Sequence, residues 1–235
     1  MTDLTEKCVE LIRSNRISST EVADALGKNG VIEKMIPINP GQHVAGRLHY
    51  IYAHNESNWS VHEQIKEVPK NIILYVDTFN CNNKAIFGDL VSKYLILYKG
   101  VKGIIVKGRM RDVPDLKKFN FPIWCYGPSP LECYNKKIKL NDNQKEEVQK
   151  NKKQIEGGIA VCDDSGCTII PENEITERIY SRLELIELQE DIWSYCIDTL
   201  KWSTYDTVCL KKYLEKPEVL PEILRKKVES IPFKQ

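Results

Sequence analysis

AIFGDLVSKYLILYKGVKGIIVKGRMRD, residues 85–112, is the stretch whose reading decides the fold. Gly88-Asp89 stands before an apolar run that ends at Gly100. Gly103-Ile-Ile-Val106 then reads as a short buried strand delivering Gly108, Arg111 and Asp112. The order is helix, strand, charged loop. With Asp89 in the first helical turn, the backbone N–H groups of Gly88, Asp89, Leu90 and Val91 form an anion pocket favoured by the helix dipole, suited to a carboxylate. Arg111 is a fork-shaped donor suited to a carboxylate or enolate, and Asp112 is a hard oxygen ligand suited to Mg²⁺. A plainer reading of the same residues stands beside this one. Gly-Asp is a common helix cap, and Arg-Asp on a loop is usually a solvated pair that contributes little.

Working outward, residues 72–76 form a continuous apolar run, read as an interior strand ending at Asp77, and Asn80-Cys-Asn-Asn83 reverses the chain toward Gly88. If the two strands lie parallel, Asp89 and Arg111 sit at neighbouring strand-exit ends, where ligands gather in open α/β sheets. Upstream, an amphipathic helix is expected over 4–13. A second helix opens on a capping box from Ser18 to Glu21 and contains Asp24 as a solvated or capping carboxylate; a strand follows over 44–53 and a brief helix over 61–68, before Pro69. Downstream, a short helix begins at Val113, a strand covers 121–126, and the heavily charged segment 136–153 reads as an exposed hairpin or loop. Residues 159–162 and 167–170 pair as a hairpin around Asp163-Asp-Ser-Gly166. Turn chemistry accounts for Asp163 and Asp164 better than a second metal site does. Beyond Pro171 the pattern turns helical, over about 174–200, 205–214 and 221–228. The chain therefore divides into an α/β domain, 1–172, and a helical C-terminal extension, 173–235.

Composition narrows the function classes. In 235 residues, 34 Lys and Arg face 33 Asp and Glu, so no general charge excess favours nucleic acid or a membrane surface. No leader opens the sequence and no apolar run approaches the ~20 residues of a spanning helix, so a cytoplasmic protein is expected. The eight cysteines show no C-x-x-C pair and read as reduced, mostly buried thiols. His43, His49, His54 and His62 fall close together but match no metal-ligand spacing.

Gly88-Asp89-Leu90, Gly100-Val-Lys-Gly103, Gly108-x-x-Arg111-Asp112 and Phe121-Pro-Ile123 together resemble the signature of the RraA-like family. The family comprises metal-dependent 4-hydroxy-4-methyl-2-oxoglutarate aldolases, which also decarboxylate oxaloacetate, and regulators of ribonuclease activity. Ser19 to Leu26 with Gly30, Ile36-Pro37, Val44-Ala-Gly46, and Asp163 to Pro171 extend the resemblance over roughly 17–175. It implies a swivelling β/β/α domain assembled as a homotrimer or hexamer, with sites at subunit boundaries. It also implies a lyase cleaving or decarboxylating a 2-oxo diacid to pyruvate with Mg²⁺ or Mn²⁺. In that reading Asp112 holds the metal, Arg111 stabilises the enolate, Asp89 is the base, and the amides of Gly88 to Val91 hold the substrate carboxylate. The alternative is a non-catalytic regulator that binds and inhibits a ribonuclease.

Four features depart from the family pattern. The Asp89–Arg111 interval is one residue longer, the extra residue falling before Gly100 as a bulge or longer loop. Arg47-Leu48-His49 replaces small residues, and Glu156-Gly157-Gly158 stands where Pro-Gly-Asp is usual. Lys107 either selects a more acidic substrate or points to solvent, and solvent is the plainer expectation.

Overall fold

The long strand Val44–His54 carries two ladders at once in the computed structural model, which describes residues 3–230. Its first four residues pair antiparallel with Ile159–Asp163, whereas Leu48 to His54 run parallel with Ile73–Phe79. In chain order the strands are β1 (Val31–Ile32), β2 (Ile36–Pro37), β3 (Val44–His54), β4 (Ile73–Phe79), β5 (Gly103–Val106), β6 (Ile123–Cys125), β7 (Ile159–Asp163) and β8 (Gly166–Ile170). They form one eight-stranded sheet in the order β1-β8-β7-β3-β4-β5-β6-β2. The run from β3 to β6 is parallel, and β7–β8 is the expected hairpin. Every residue of β5, and all of β4 except Thr78, is buried, as a parallel strand covered on both faces requires.

The covering helices of this part are α1 (Leu4–Asn15), α2 (Ser19–Ala25), α3 (Trp59–Gln64), α4 (Asp89–Lys93), α5 (Val113–Lys118) and α6 (Asp142–Ile155). The Ser18–Glu21 capping box is present in both directions. On one face Ile51, Leu74, Val76, Ile104 and Val106 pack with Val61, Val91, Leu95 and Leu116. On the other face Tyr50, Ile73, Tyr75, Ile105 and Trp124 pack with Val148 of α6. The helix α6 corrects the hairpin or loop expected over 136–153. Asn141 and Gln144 close a capping box, and Gln144 and Val148 are buried on a largely charged helix, with Ile155 packed against the same core.

The described chain forms two compact units, Met1–Glu177 and Arg178–Gln235. In the second, α7 (Glu177–Asp198), α8 (Lys212–Glu215) and α9 (Glu222–Ser230) enclose a small core of Leu188, Ile192, Cys196, Tyr213, Leu220 and Val228. Among the described residues no helix is long and apolar enough to cross a membrane. All eight cysteines are free, and Cys209 alone is exposed.

Candidate active site

Parallel pairing of Val76 with Val106 brings the exits of β4 and β5 side by side. The chain leaving β4 then returns across these exits. Ile86 N donates to Arg109 O at 2.9 Å and Arg111 N to Phe87 O at 3.2 Å, while Ala85 also bridges Glu132. These bonds set Gly88, the N-cap of α4, against Arg111 and Asp112. A Cβ added at Gly88 would overlap Asp112 Oδ2 and lie 2.8 Å from its carboxyl carbon and 2.9 Å from Arg111 Cγ. Only glycine leaves room for that carboxylate.

Asp112 occupies the N-cap position of α5 with φ 55°, a left-handed conformation that Asp tolerates better than most residues. Its side chain makes no capping hydrogen bond. The carboxylate is turned to Gly88 and Arg111 instead, which separates this residue from an ordinary cap. Arg111 lies between two acids, with Nη1 donating to Glu132 Oε2 at 2.6 Å and Nε 3.3 Å from Asp112 Oδ2. Arg111 Nε is nonetheless buried without a hydrogen bond, an unfilled donor beside the carboxylate.

Asp89 stands in the first turn of α4, where helix bonding begins with Ser92 N to Gly88 O. The amides of Asp89, Leu90 and Val91 therefore lie outside the helical ladder. Asp89 Oδ2 takes the Lys93 ammonium at 2.7 Å. That bond, with the Leu90 amide and the nearby Lys93 and Arg111 charges, holds its carboxyl below the usual range. Lys93 also lies over the Phe119 ring, 4.5 Å from its centroid. Leu90 is 73% exposed.

The helix does not end at Lys93. It continues as a π turn, Tyr94–Tyr98, with Lys99 N bonded to Tyr94 O. A π turn holds more residues per turn than an α turn, and it lies in the stretch before Gly100 where a bulge or longer loop is expected.

Lys107 is partly open to solvent, its side chain 40% exposed, as the plainer expectation has it. Its ammonium lies 3.4 Å from Oδ1 of Asp77, which is buried on the α6 face of the sheet and also accepts from Tyr50 and Asn151. Two other departures meet each other, since His49 Nδ1 lies 2.9 Å from Glu156 Oε1 and Glu156 Oε2 accepts from Tyr50 N. Asp163 accepts from Ser19 N, Ser19 Oγ and Ser165 N, and Asp164 from Gly41 N, so both serve turns and caps. Asp24 pairs with Lys28 on the surface.

Among the described residues no three His, Cys, Asp or Glu side chains converge as a metal cage. At Gly88 the chain offers one carboxylate, Asp112, lodged where a Cβ would otherwise stand. Mg²⁺ fits such a donor set, because it keeps several waters and commonly takes only one or two protein carboxylates. Sequence reasoning missed two members of this site. Lys93 was legible as the i+4 partner of Asp89; Glu132 reaches Arg111 from a Pro-rich loop twenty-one residues away and left no local signal.

The RraA-like family model, described as Aldolase/RraA, matches residues 19–169. The Halalkalibacterium halodurans protein named "Putative 4-hydroxy-4-methyl-2-oxoglutarate aldolase" is 25% identical over 218 residues, 85% of this chain and 91% of that one. Protein DlpA of Legionella pneumophila is 25% identical over 193 residues, 77% of this chain, and the match spans only 30% of DlpA. Among solved structures, Streptomyces coelicolor RraAS2, described as an unusual member of the RNase ES inhibitor RraA protein family, superposes with TM-score 0.59 at 23% identity. That match covers 77% of this chain and 96% of RraAS2. With a mixed α/β sheet of this topology and a family match over more than half its length, the chain belongs to the RraA-like family.

Proposed function

We propose that the Gly88–Asp112 site is that of a divalent-metal-dependent carbon–carbon lyase, which cleaves or decarboxylates a 2-oxo diacid to release pyruvate. One observation carries the reading: Gly88 is the residue that permits the Asp112 carboxylate to stand free of any capping role beside Arg111. The aldolase name of the Halalkalibacterium relative supports the reaction class. Mg²⁺ or Mn²⁺ bound at Asp112 supplies a Lewis acid toward the 2-oxo group. The amides of Gly88, Asp89, Leu90 and Val91 bind the adjacent carboxylate. Arg111 faces the C2 oxygen, where negative charge develops as the C–C bond breaks. Asp89, directly or through a water, takes the 4-hydroxyl proton in retro-aldol cleavage and later returns a proton to C3 of the pyruvate enolate. Held ionised by Lys93, Asp89 is a weak base until that contact loosens.

The assembly implied by the resemblance, a homotrimer or hexamer, is part of the proposal. Leu90, Tyr94, Leu97 and Tyr98 leave an exposed apolar stripe on the helix that carries Asp89, a patch of the kind that subunits cover. One observation favours the competing regulator reading: Glu132 already occupies Arg111 Nη1. Under that reading Arg111 and Asp112 are scaffold, and the protein binds and inhibits a ribonuclease.

The separating experiment follows oxaloacetate turnover with Mn²⁺ and inhibition of a ribonuclease in the same preparation, for wild type and Asp112→Ala. Turnover lost in the variant supports the lyase. Ribonuclease inhibition unchanged by the substitution, without turnover in either protein, supports the regulator.

A further inference from the structure

A second cleft, of about 490 Å³, lies between α3, the C-terminal half of β3 and α6, and is flanked by residues 137–140. It shares no residue with the site at Gly88, and its size falls in the usual range of small-molecule pockets. The charged segment that reads as a solvated face in sequence forms part of its lining. Four lysines, Lys137, Lys139, Lys145 and Lys152, face one acid, Glu63. Lys137 is paired with Glu63 at 3.4 Å and Lys145 with Asp142 at 2.7 Å; Lys139 and Lys152 are in no ion pair among the described residues.

Trp59 and Glu63 line the cleft together, and Glu63 pairs with Lys137. The Tyr52 and His54 rings lie tilted against each other, centroids 5.9 Å apart. His54 is only 4% exposed, and burial pushes its pKa down, leaving the ring neutral near pH 7. Asn55 Nδ2 lies 3.2 Å from His54 Nδ1 and, as a donor, assigns the ring proton to Nε2. The ring is thus a neutral, largely buried part of the cleft wall. Gln64 is spent within the fold, donating to Tyr52 O and Ser60 O at 2.8 Å each.

Aromatic side chains beside ammonium groups in no ion pair are complementary to a planar ring bearing a phosphate. Among the described residues no arginine lines the cleft to supply the fork that suits a carboxylate. We propose that this cleft binds a phosphorylated planar-ring compound of nucleoside monophosphate size, its ring against Trp59 and Tyr52 and its phosphate among Lys139 and Lys152.

The test uses adenosine 5′-monophosphate, adenosine and inorganic phosphate as probes on the full chain, followed by NMR of the Trp59 indole N–H and the His54 ring. The expected result is a saturable shift of both signals by the monophosphate, with tighter binding than either half-ligand shows. In Lys139→Ala/Lys152→Ala, whose exposed side chains leave the core intact, affinity for the monophosphate falls about tenfold or more, while the weaker binding of adenosine is unchanged. Three results overturn the proposal: no saturable shift of the Trp59 signal, equal affinity in the double variant, or inorganic phosphate binding as tightly as the monophosphate.

Discussion

Gly88 and Asp112 are interlocked: the space a β-carbon of residue 88 would fill is taken by the Asp112 carboxylate. Gly88→Ala therefore displaces the carboxylate while leaving every charged group of the site in the chain. Misplacement of about 1 Å at a reacting centre costs roughly a hundredfold. Turnover of oxaloacetate by Gly88→Ala should fall by about that factor, with circular dichroism unchanged and Mn²⁺ affinity reduced in a direct binding assay.

Lys93 sets the protonation of Asp89. The Lys93 hydrogen bond is the largest cause of the lowered pKa, and the group is depressed in the folded state. Its contribution to stability is present above the ordinary carboxylate pKa and lost as pH falls through the folded value. Lys93→Met removes the main cause, so Asp89 titrates at higher pH. The acidic limb of the rate profile, or the Asp89 carboxyl resonance in an NMR titration, should move upward in pH. An unmoved limb would remove Asp89 from the proton-transfer role.

Glu132 accepts a hydrogen bond from Arg111 Nη1, the group that the proposed lyase reading turns toward substrate. The ion pair is one-third to two-fifths exposed on its two sides, so breaking it costs the free protein little, on the order of 0.2–1 kcal/mol. Glu132→Ala should therefore raise affinity for oxalate, a planar dianion resembling enolpyruvate, by about two- to fivefold. Calorimetry with Mn²⁺ present reads it directly; weaker oxalate binding would show that Glu132 positions the guanidinium instead of masking it.

The buried Asp77 supplies a test of the fold that leaves the site alone. Tyr50 Oη donates to Asp77 Oδ2 at 3.0 Å, and burial followed by the Asp77 charge drives the phenol pKa far up, so the hydroxyl stays protonated. Tyr50→Phe removes that donor but leaves Asn151 and Lys107 on the carboxylate. Stability should fall by about 1 kcal/mol, the net worth of one hydrogen bond, read from a shifted urea midpoint with pyruvate release unaltered.

The β4 and β5 strands, the β7–β8 hairpin and the Ser18 capping box were legible because each rests on local pattern: apolar runs, turn residues and cap spacing; the parallel pairing of β4 with β5, left conditional in sequence, came from the fold. The helix over 142–155 left little signal because few of its residues are apolar: Val148 and Ile155 pack on the core while most of the rest is charged or polar. Gly88, Asp89, Arg111 and Asp112 could be placed near one another from strand order, and the fold sets Gly88 against Arg111 and Asp112 with Asp89 next in the chain. The acids and bases that tune them could not, apart from Lys93. Glu132 reaches Arg111 through a loop whose course the local sequence does not specify, and Lys107 turns to Asp77 because strand alternation puts both on the face opposite the site. The π turn at Tyr94–Tyr98 has no residue signature of its own, although an added residue in an otherwise regular helix is its usual origin.

The most direct test of the central claim is pyruvate release from oxaloacetate and from 4-hydroxy-4-methyl-2-oxoglutarate, with Mg²⁺ or Mn²⁺ and with a chelator, by wild type, Arg111→Ala and Asp112→Ala. Metal-dependent release by wild type, abolished by the chelator and by each substitution, is the predicted result. Release no faster than the uncatalysed background with either metal, or release that survives Asp112→Ala, would contradict a lyase site built on Gly88, Arg111 and Asp112.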